Sequence, residues 1–126
     1  MFEVYLVAGN VTGLPAGLYR YQPKGHELTK VAEGDEKSDL FKVVAQPAIN
    51  SAPAALIIAG IPERSTANPV WIYLEAGHAA ENVYLQAVFL KLGTVSIAGF
   101  KPEDVKRALA FPEKVQPIYI MPVGRK

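Results

Sequence analysis

Between Val70 and Leu92 the sequence is apolar on almost every side: Val70, Trp71, Ile72, Leu74, Val83, Tyr84, Leu85, Val88, Phe89 and Leu90 leave little room for a solvated face. A segment of this length reads as one helix, closed by Gly93. A helix apolar nearly all round must be buried by its own fold or by a partner. At about 100° per residue, Glu75, His78, Asn82 and Gln86 gather within an arc of roughly 80°. Such a stripe is either the solvent side of a core helix or the lining of a cavity, because unpaired buried polar groups are costly. The same residues interrupt the apolar run, so no membrane span is expected.

The flanking segments define what this helix packs on. Phe2–Ala8 alternates and is rich in Val, Tyr and Leu, which predicts a strand. Leu18–Tyr21 and Glu27–Val31 read as a hairpin across Pro23-Lys24-Gly25. Ser38 is the expected cap of a short helix running to Val44. Ala54–Ala59, an unbroken apolar run between Pro53 and Gly60, predicts a strand buried on both faces. Pro62–Pro69 reads as a loop, Thr94–Ala98 as a strand, Lys101–Ala110 as a helix and Gln116–Val123 as a closing strand. The expected class is α+β, with a mixed or antiparallel sheet packed on the long helix, in a single domain spanning 1–126.

Composition removes several functions. Thirteen Lys and Arg against twelve Asp and Glu leave a net charge of +1, too little for a bulk attraction to nucleic acid or a membrane surface. Cysteine is absent, and with it disulfides, thiolate nucleophiles and Cys-based metal sites. The two histidines, His26 and His78, are too far apart in sequence to suggest a local metal pair, and no metal site is expected. No Ser-His-Asp order, P-loop or HExxH occurs. His78 on its helix is read as a structural group or, alternatively, a general acid. The N-terminus carries no basic segment before its apolar run, so a cytoplasmic location is expected.

Two further features bear on ligands. Gly93-Thr94-Val95-Ser96-Ile97-Ala98-Gly99-Phe100 has glycine at both ends and a small residue beside Gly99, which lets backbone approach a flat ligand and offer its amides. Arg125-Lys126 is either a phosphate grip or a solvated tail, with Arg20 and Lys101 the next cations in line.

Leu74-Glu75-Ala76-Gly77-His78-Ala79-Ala80-Glu81-Asn82 followed by Leu92-Gly93-Thr94-Val95 resembles the helix-and-strand signature of nitroreductases, and the SagB-type dehydrogenase branch most of all. Phe2–Val7, Gly17–Tyr21 and Ile120–Arg125 add to the likeness, which runs along nearly the whole chain. The resemblance implies an FMN-dependent oxidoreductase, or the C-terminal part of one, that passes two electrons from a donor such as NAD(P)H to an acceptor. It implies a homodimer or higher oligomer formed through long helices, with FMN at the interface. By the same likeness Ile97, Ala98 and Gly99 lie along the flavin, Arg125 contacts its phosphate, and Glu75 and Gly77 belong to the site through the signature helix. Members of the family also begin with helices carrying an Arg-rich phosphate motif and a Pro-Ser segment, and this sequence opens where those would end. A truncated or split member completed by a separate chain, a fragment of a longer protein, and a domain repurposed without flavin are the three expectations. The last makes a flavin-free interaction module the alternative function.

Overall fold

The computed structural model describes residues 2–65 and 68–126. The chain runs β1 (Phe2–Ala8), β2 (Gly17–Gln22), β3 (Glu27–Glu33), α1 (Glu36–Val43), α2 (Pro47–Ser51), β4 (Ala54–Gly60), a 3-10 turn (Pro62–Arg64), α3 (Val70–Phe89), β5 (Leu92–Thr94), α4 (Pro102–Ala108) and β6 (Gln116–Arg125). The six strands form one sheet in the order β3-β2-β1-β4-β6-β5, and every described pairing is antiparallel. The α+β expectation holds.

Alternation along the strands sends side chains to two different layers. Tyr5, Val7, Leu18, Ala55, Ile57, Ala59 and Ile120 point to one face, where Leu40 of α1, Ile49 of α2, Val105 of α4 and the helix-end residues Val44 and Leu109 cover them. Leu56, Ile58, Ile118 and Met121 point to the other, against Ala76, Ala80, Val83 and Tyr84 of α3. Strand β4, flanked by β1 and β6 and covered by helices on both sides, is buried on both faces as its apolar run predicts. The small side chains Ala76 and Ala80 let α3 approach closely. Gly60 seats the same helix, since a Cβ there would stand 2.5 Å from Ile72 Cγ2.

Local chemistry shifts some expected boundaries. Helix α1 starts earlier than predicted because Asp35, not Ser38, is its cap: Asp35 Oδ1 accepts from the Ser38 N–H at 3.0 Å. Helix α3 ends at Phe89, and the left-handed residue beyond it is Lys91 (φ 60°), not Gly93. Gly93 instead sits inside β5, opposite Gly124. The predicted strand Thr94–Ala98 reduces to Thr94 at the end of β5 and an isolated bridge from Ile97 to Ile120. Helix α2 has no counterpart among the sequence expectations, since a helix of five residues leaves no periodicity to read. Of the expected Pro62–Pro69 loop, residues 66–67 lie outside the described ones, and Pro62–Arg64 is the 3-10 turn.

Candidate functional site

The glycine-rich segment after α3 forms the outer edge of the sheet. Leu92, Gly93 and Thr94 pair with Arg125, Gly124 and Val123 at the end of β6. The chain leaves the ladder at Val95 and Ser96, and the Tyr84 hydroxyl of α3 holds this excursion. It accepts from the Ser96 N–H at 2.6 Å and lies 3.1 Å from Ser96 Oγ. Ile97 then rejoins the ladder, exchanging two hydrogen bonds with Ile120 at 2.8 and 2.9 Å. Phe100 turns back through its N–H onto the Ala98 carbonyl at 3.0 Å and packs against the core.

Between these anchors, Ala98 and Gly99 are exposed, and their N–H groups meet no acceptor among the described residues. A Cβ built on Gly99 meets nothing within 4 Å. The result is two backbone donors without an acceptor among the described residues, on an exposed segment pinned at both ends. Beside them a hollow of ≈ 260 Å³ is walled by Tyr73, Ala98, Phe100, Pro117, Ile118 and Tyr119.

Farther along the same edge lies a larger cavity of ≈ 400 Å³, lined by Ser51, Pro53, Gly93, Thr94, Gly124 and Arg125 among others. Arg125 is exposed and pairs with no carboxylate among the described residues. The buried Thr94 Oγ1 has no hydrogen-bond partner among the described residues. A buried hydroxyl left unpaired costs about 1–3 kcal/mol, so this atom marks a place where a polar group fits. Arg125 lies five steps along β6 from Ile120, the partner of Ile97, an extended distance of about 17 Å. A ring bonded by the Ala98–Gly99 amides and a tail ending in an anion at Arg125 match that layout. Among the described residues no His, Asp or Glu lines either cavity; those residues offer donors, a cation and an aromatic wall.

The sequence-predicted residues fall into three groups. Ile97, Ala98 and Gly99 form one strip, but the Ile97 N–H and C=O are both committed to Ile120, which leaves the amides of Ala98 and Gly99 for a ligand. Arg125 lies farther along the same edge. Glu75 and Gly77 are half-buried on α3 and line neither cavity; the helix reaches the strip through Tyr73 and Tyr84 instead. Arg20 pairs with Tyr5 in the middle of β1 and lines a cavity with Phe2, Glu3 and Val4, away from Arg125. His78, Asn82 and Gln86 are exposed, so the polar stripe lies on the solvent side of α3. Among the described residues no group of His, Asp and Glu is arranged to hold a metal ion.

Sequence reasoning missed Thr94, Tyr73 and Tyr84 as parts of the site. Thr94 stands within the quoted Leu92–Val95 motif, but its unpaired hydroxyl depends on packing. The Tyr84–Ser96 bond spans twelve residues and has no sequence signal.

The profile of the nitroreductase family matches residues 2–125. A candidate nitroreductase of Methanocaldococcus jannaschii is 35% identical over 130 residues, covering 98% of this chain and 65% of that protein. A crystal structure of a candidate nitroreductase from Anabaena variabilis superposes with a TM-score of 0.89 at 30% identity, over 99% of this chain and 27% of that one. Another, from Ralstonia eutropha, gives 0.75 at 27% identity, over 98% and 57%. The chain thus spans less than two thirds of the length of each of these relatives.

Proposed function

The chain belongs to the nitroreductase family, and from that premise we propose that it is a nitroreductase-like domain of an FMN-dependent oxidoreductase. The observation that carries this reading is the pair of unpartnered amides at Ala98 and Gly99, held rigid and open at the sheet edge. FMN supplies the redox chemistry when bound, taking up two electrons from a donor and passing them to an acceptor. The protein's own part is positional. The Ala98 and Gly99 N–H groups donate to acceptor atoms of the ring, and the Thr94 hydroxyl and Arg125 hold the anionic tail. Tyr73, Phe100 and Tyr119 wall the adjoining hollow and exclude water from one side. The electron donor in this reading is a nicotinamide such as NAD(P)H, and the chain belongs to the SagB-type branch.

The same reading makes the chain a homodimer or higher oligomer. Trp71, Leu74, Leu85, Val88 and Phe89 stand exposed along α3, Phe89 at 79% and Leu74 at 58%. Apolar side chains exposed in two groups, Trp71 and Leu74 at the start of the helix and Leu85, Val88 and Phe89 at its end, mark an association surface interrupted by His78 and Asn82. A second copy covers it in our reading, and a separate chain carrying a helical flavin-phosphate segment is the competing occupant. The setting is cytoplasmic; no helix among the described residues is long and apolar enough to cross a membrane.

Titration of the purified protein with FMN tests the proposal. Saturable quenching of flavin fluorescence, together with a dimer by light scattering, is the expected result. A colourless protein unmoved by added FMN overturns it in favour of a flavin-free interaction module.

A further inference from the structure

At the end of the sheet opposite Arg125, a second polar cluster lies outside the flavin strip. A cavity of ≈ 380 Å³ is bounded by Phe2, Glu3 and Val4 of β1, Arg20, Tyr21 and Gln22 of β2, Pro23, and Arg64 of the 3-10 turn. Glu3 is largely buried at its floor and accepts from the Tyr5 hydroxyl at 3.1 Å. Two guanidinium groups approach the same carboxylate without closing on it. Arg20 Nη1 stands 3.6 Å from Oε2, and Arg64 Nη2 stands 3.9 Å from Oε1. Both separations exceed a hydrogen bond.

The two arginines are not equivalent. With the Gln22 amide oxygen turned inward, it accepts from Arg20 Nε at 3.1 Å and from Nη2 at 2.7 Å. Arg20 is therefore a fixed wall of the cavity. The Arg64 side chain makes no hydrogen bond among the described residues, so its planar fork of donors is open to a ligand. Charge then selects the ligand. Arg20 and Arg64 against Glu3 leave the cluster at one positive charge, which a single anion neutralises and a dianion overshoots. Phe2, Val4, Tyr21 and Pro23 supply apolar walls that a bare inorganic ion would leave unused.

We propose that this cavity is a binding site for a singly charged carboxylate with a flat apolar body, an aromatic monocarboxylate, gripped by the Arg64 fork beside the fixed guanidinium of Arg20. A guanidinium meets a carboxylate through two parallel charge-assisted hydrogen bonds, and a lysine at the same place acts only as a point charge.

The test uses benzoate as the probe, with acetate and inorganic phosphate as comparisons, followed by amide chemical shifts of the intact protein. Its readout requires no flavin, so it succeeds or fails independently of the redox assignment. Saturable benzoate shifts at Phe2–Val4, Arg20–Gln22 and Arg64, with weaker binding of acetate, are expected. Arg64→Ala should weaken benzoate by about tenfold or more, and Arg64→Lys should recover only part of that loss. Glu3→Gln raises the cluster's positive charge by one and should admit phosphate. Circular dichroism confirms that each variant is folded. Benzoate affinity within about twofold of the parent in Arg64→Ala, shifts located elsewhere, or phosphate binding tighter than benzoate in the parent would each overturn the proposal.

Discussion

Gly99→Val separates a ligand-facing glycine from one the backbone requires. The position has no positive φ, and a Cβ there meets nothing within 4 Å, so the unliganded fold has room for the side chain. Substitutions at open surface positions usually change stability by about 0.5 kcal/mol or less. A flat ligand lying against the same backbone would meet the new isopropyl group directly. Overpacking of a filled site costs about 1–3 kcal/mol, and a displaced amide bond adds about 0.5–1.5 kcal/mol. Together these predict FMN affinity lower by about one to three orders of magnitude at nearly unchanged thermal midpoint. Flavin fluorescence titration and differential scanning calorimetry on the parent, Gly99→Ala and Gly99→Val give both quantities, with Gly99→Ala falling between. Unchanged affinity in Gly99→Val would remove the strip from the site. A fall in stability as large as the fall in affinity would show that the glycine serves the fold.

Three other substitutions probe separate parts of the molecule. Thr94→Val removes the unpaired buried hydroxyl, so it should stabilise the ligand-free protein by about 1 kcal/mol while weakening FMN; a destabilised variant in urea unfolding would mean the hydroxyl is already satisfied. Arg125→Ala should weaken FMN about tenfold or more and riboflavin hardly at all, since only FMN carries a phosphate; equal losses by parallel titration would assign Arg125 a structural role. Burial, reinforced by the neighbouring Glu3 carboxylate, pushes the Tyr5 phenol from 10.0 up to about 12. The native state therefore holds this proton more tightly than the unfolded chain, and the associated stability is present below pH 10 and lost as pH rises toward 12. Tyr5→Phe should flatten that alkaline decline in denaturant titrations; an unchanged slope would refute the assignment.

The sequence discloses those features whose cause is local. The strand at Ala54–Gly60 is readable because a short apolar run between Pro53 and Gly60 has few other solutions, and the β2–β3 hairpin because Pro23-Lys24-Gly25 is turn chemistry. Helix α3 is readable from its length, but not its last turn, where Lys91 takes the left-handed conformation and frees Gly93 for the ladder. The site is legible only as a stretch of small residues. That Ile97 spends its amide on Ile120 while Ala98 and Gly99 keep theirs follows from strand register, which pairs segments more than twenty residues apart. Gly77 belongs to the expected site through family likeness alone and Glu75 through that likeness and its place in the polar stripe, but the fold gives the approach to the strip to Tyr73 and Tyr84, whose partners lie on other elements.

In the proposed reading, assembly and cofactor binding share one corner of the molecule, which would couple them. Tyr73 walls the hollow beside Ala98, and the exposed face of α3 continues from it through Val70 to Leu74. In that reading a partner seated beside Tyr73 would also cover the hollow next to Ala98 and exclude water from the Ala98 and Gly99 amides. Each event then favours the other by the same free energy. FMN should bind more tightly as protein concentration drives association, and saturating FMN should lower the dimer dissociation constant by an equal factor. Leu74→Lys, which lines neither cavity, should weaken both association and FMN binding by placing a charge in the apolar face. Analytical ultracentrifugation with and without FMN, paired with flavin titrations at protein concentrations above and below the dimer midpoint, measures both sides of the linkage. Flavin affinity that is identical in monomer and dimer would show that the two surfaces, although neighbours, are energetically separate.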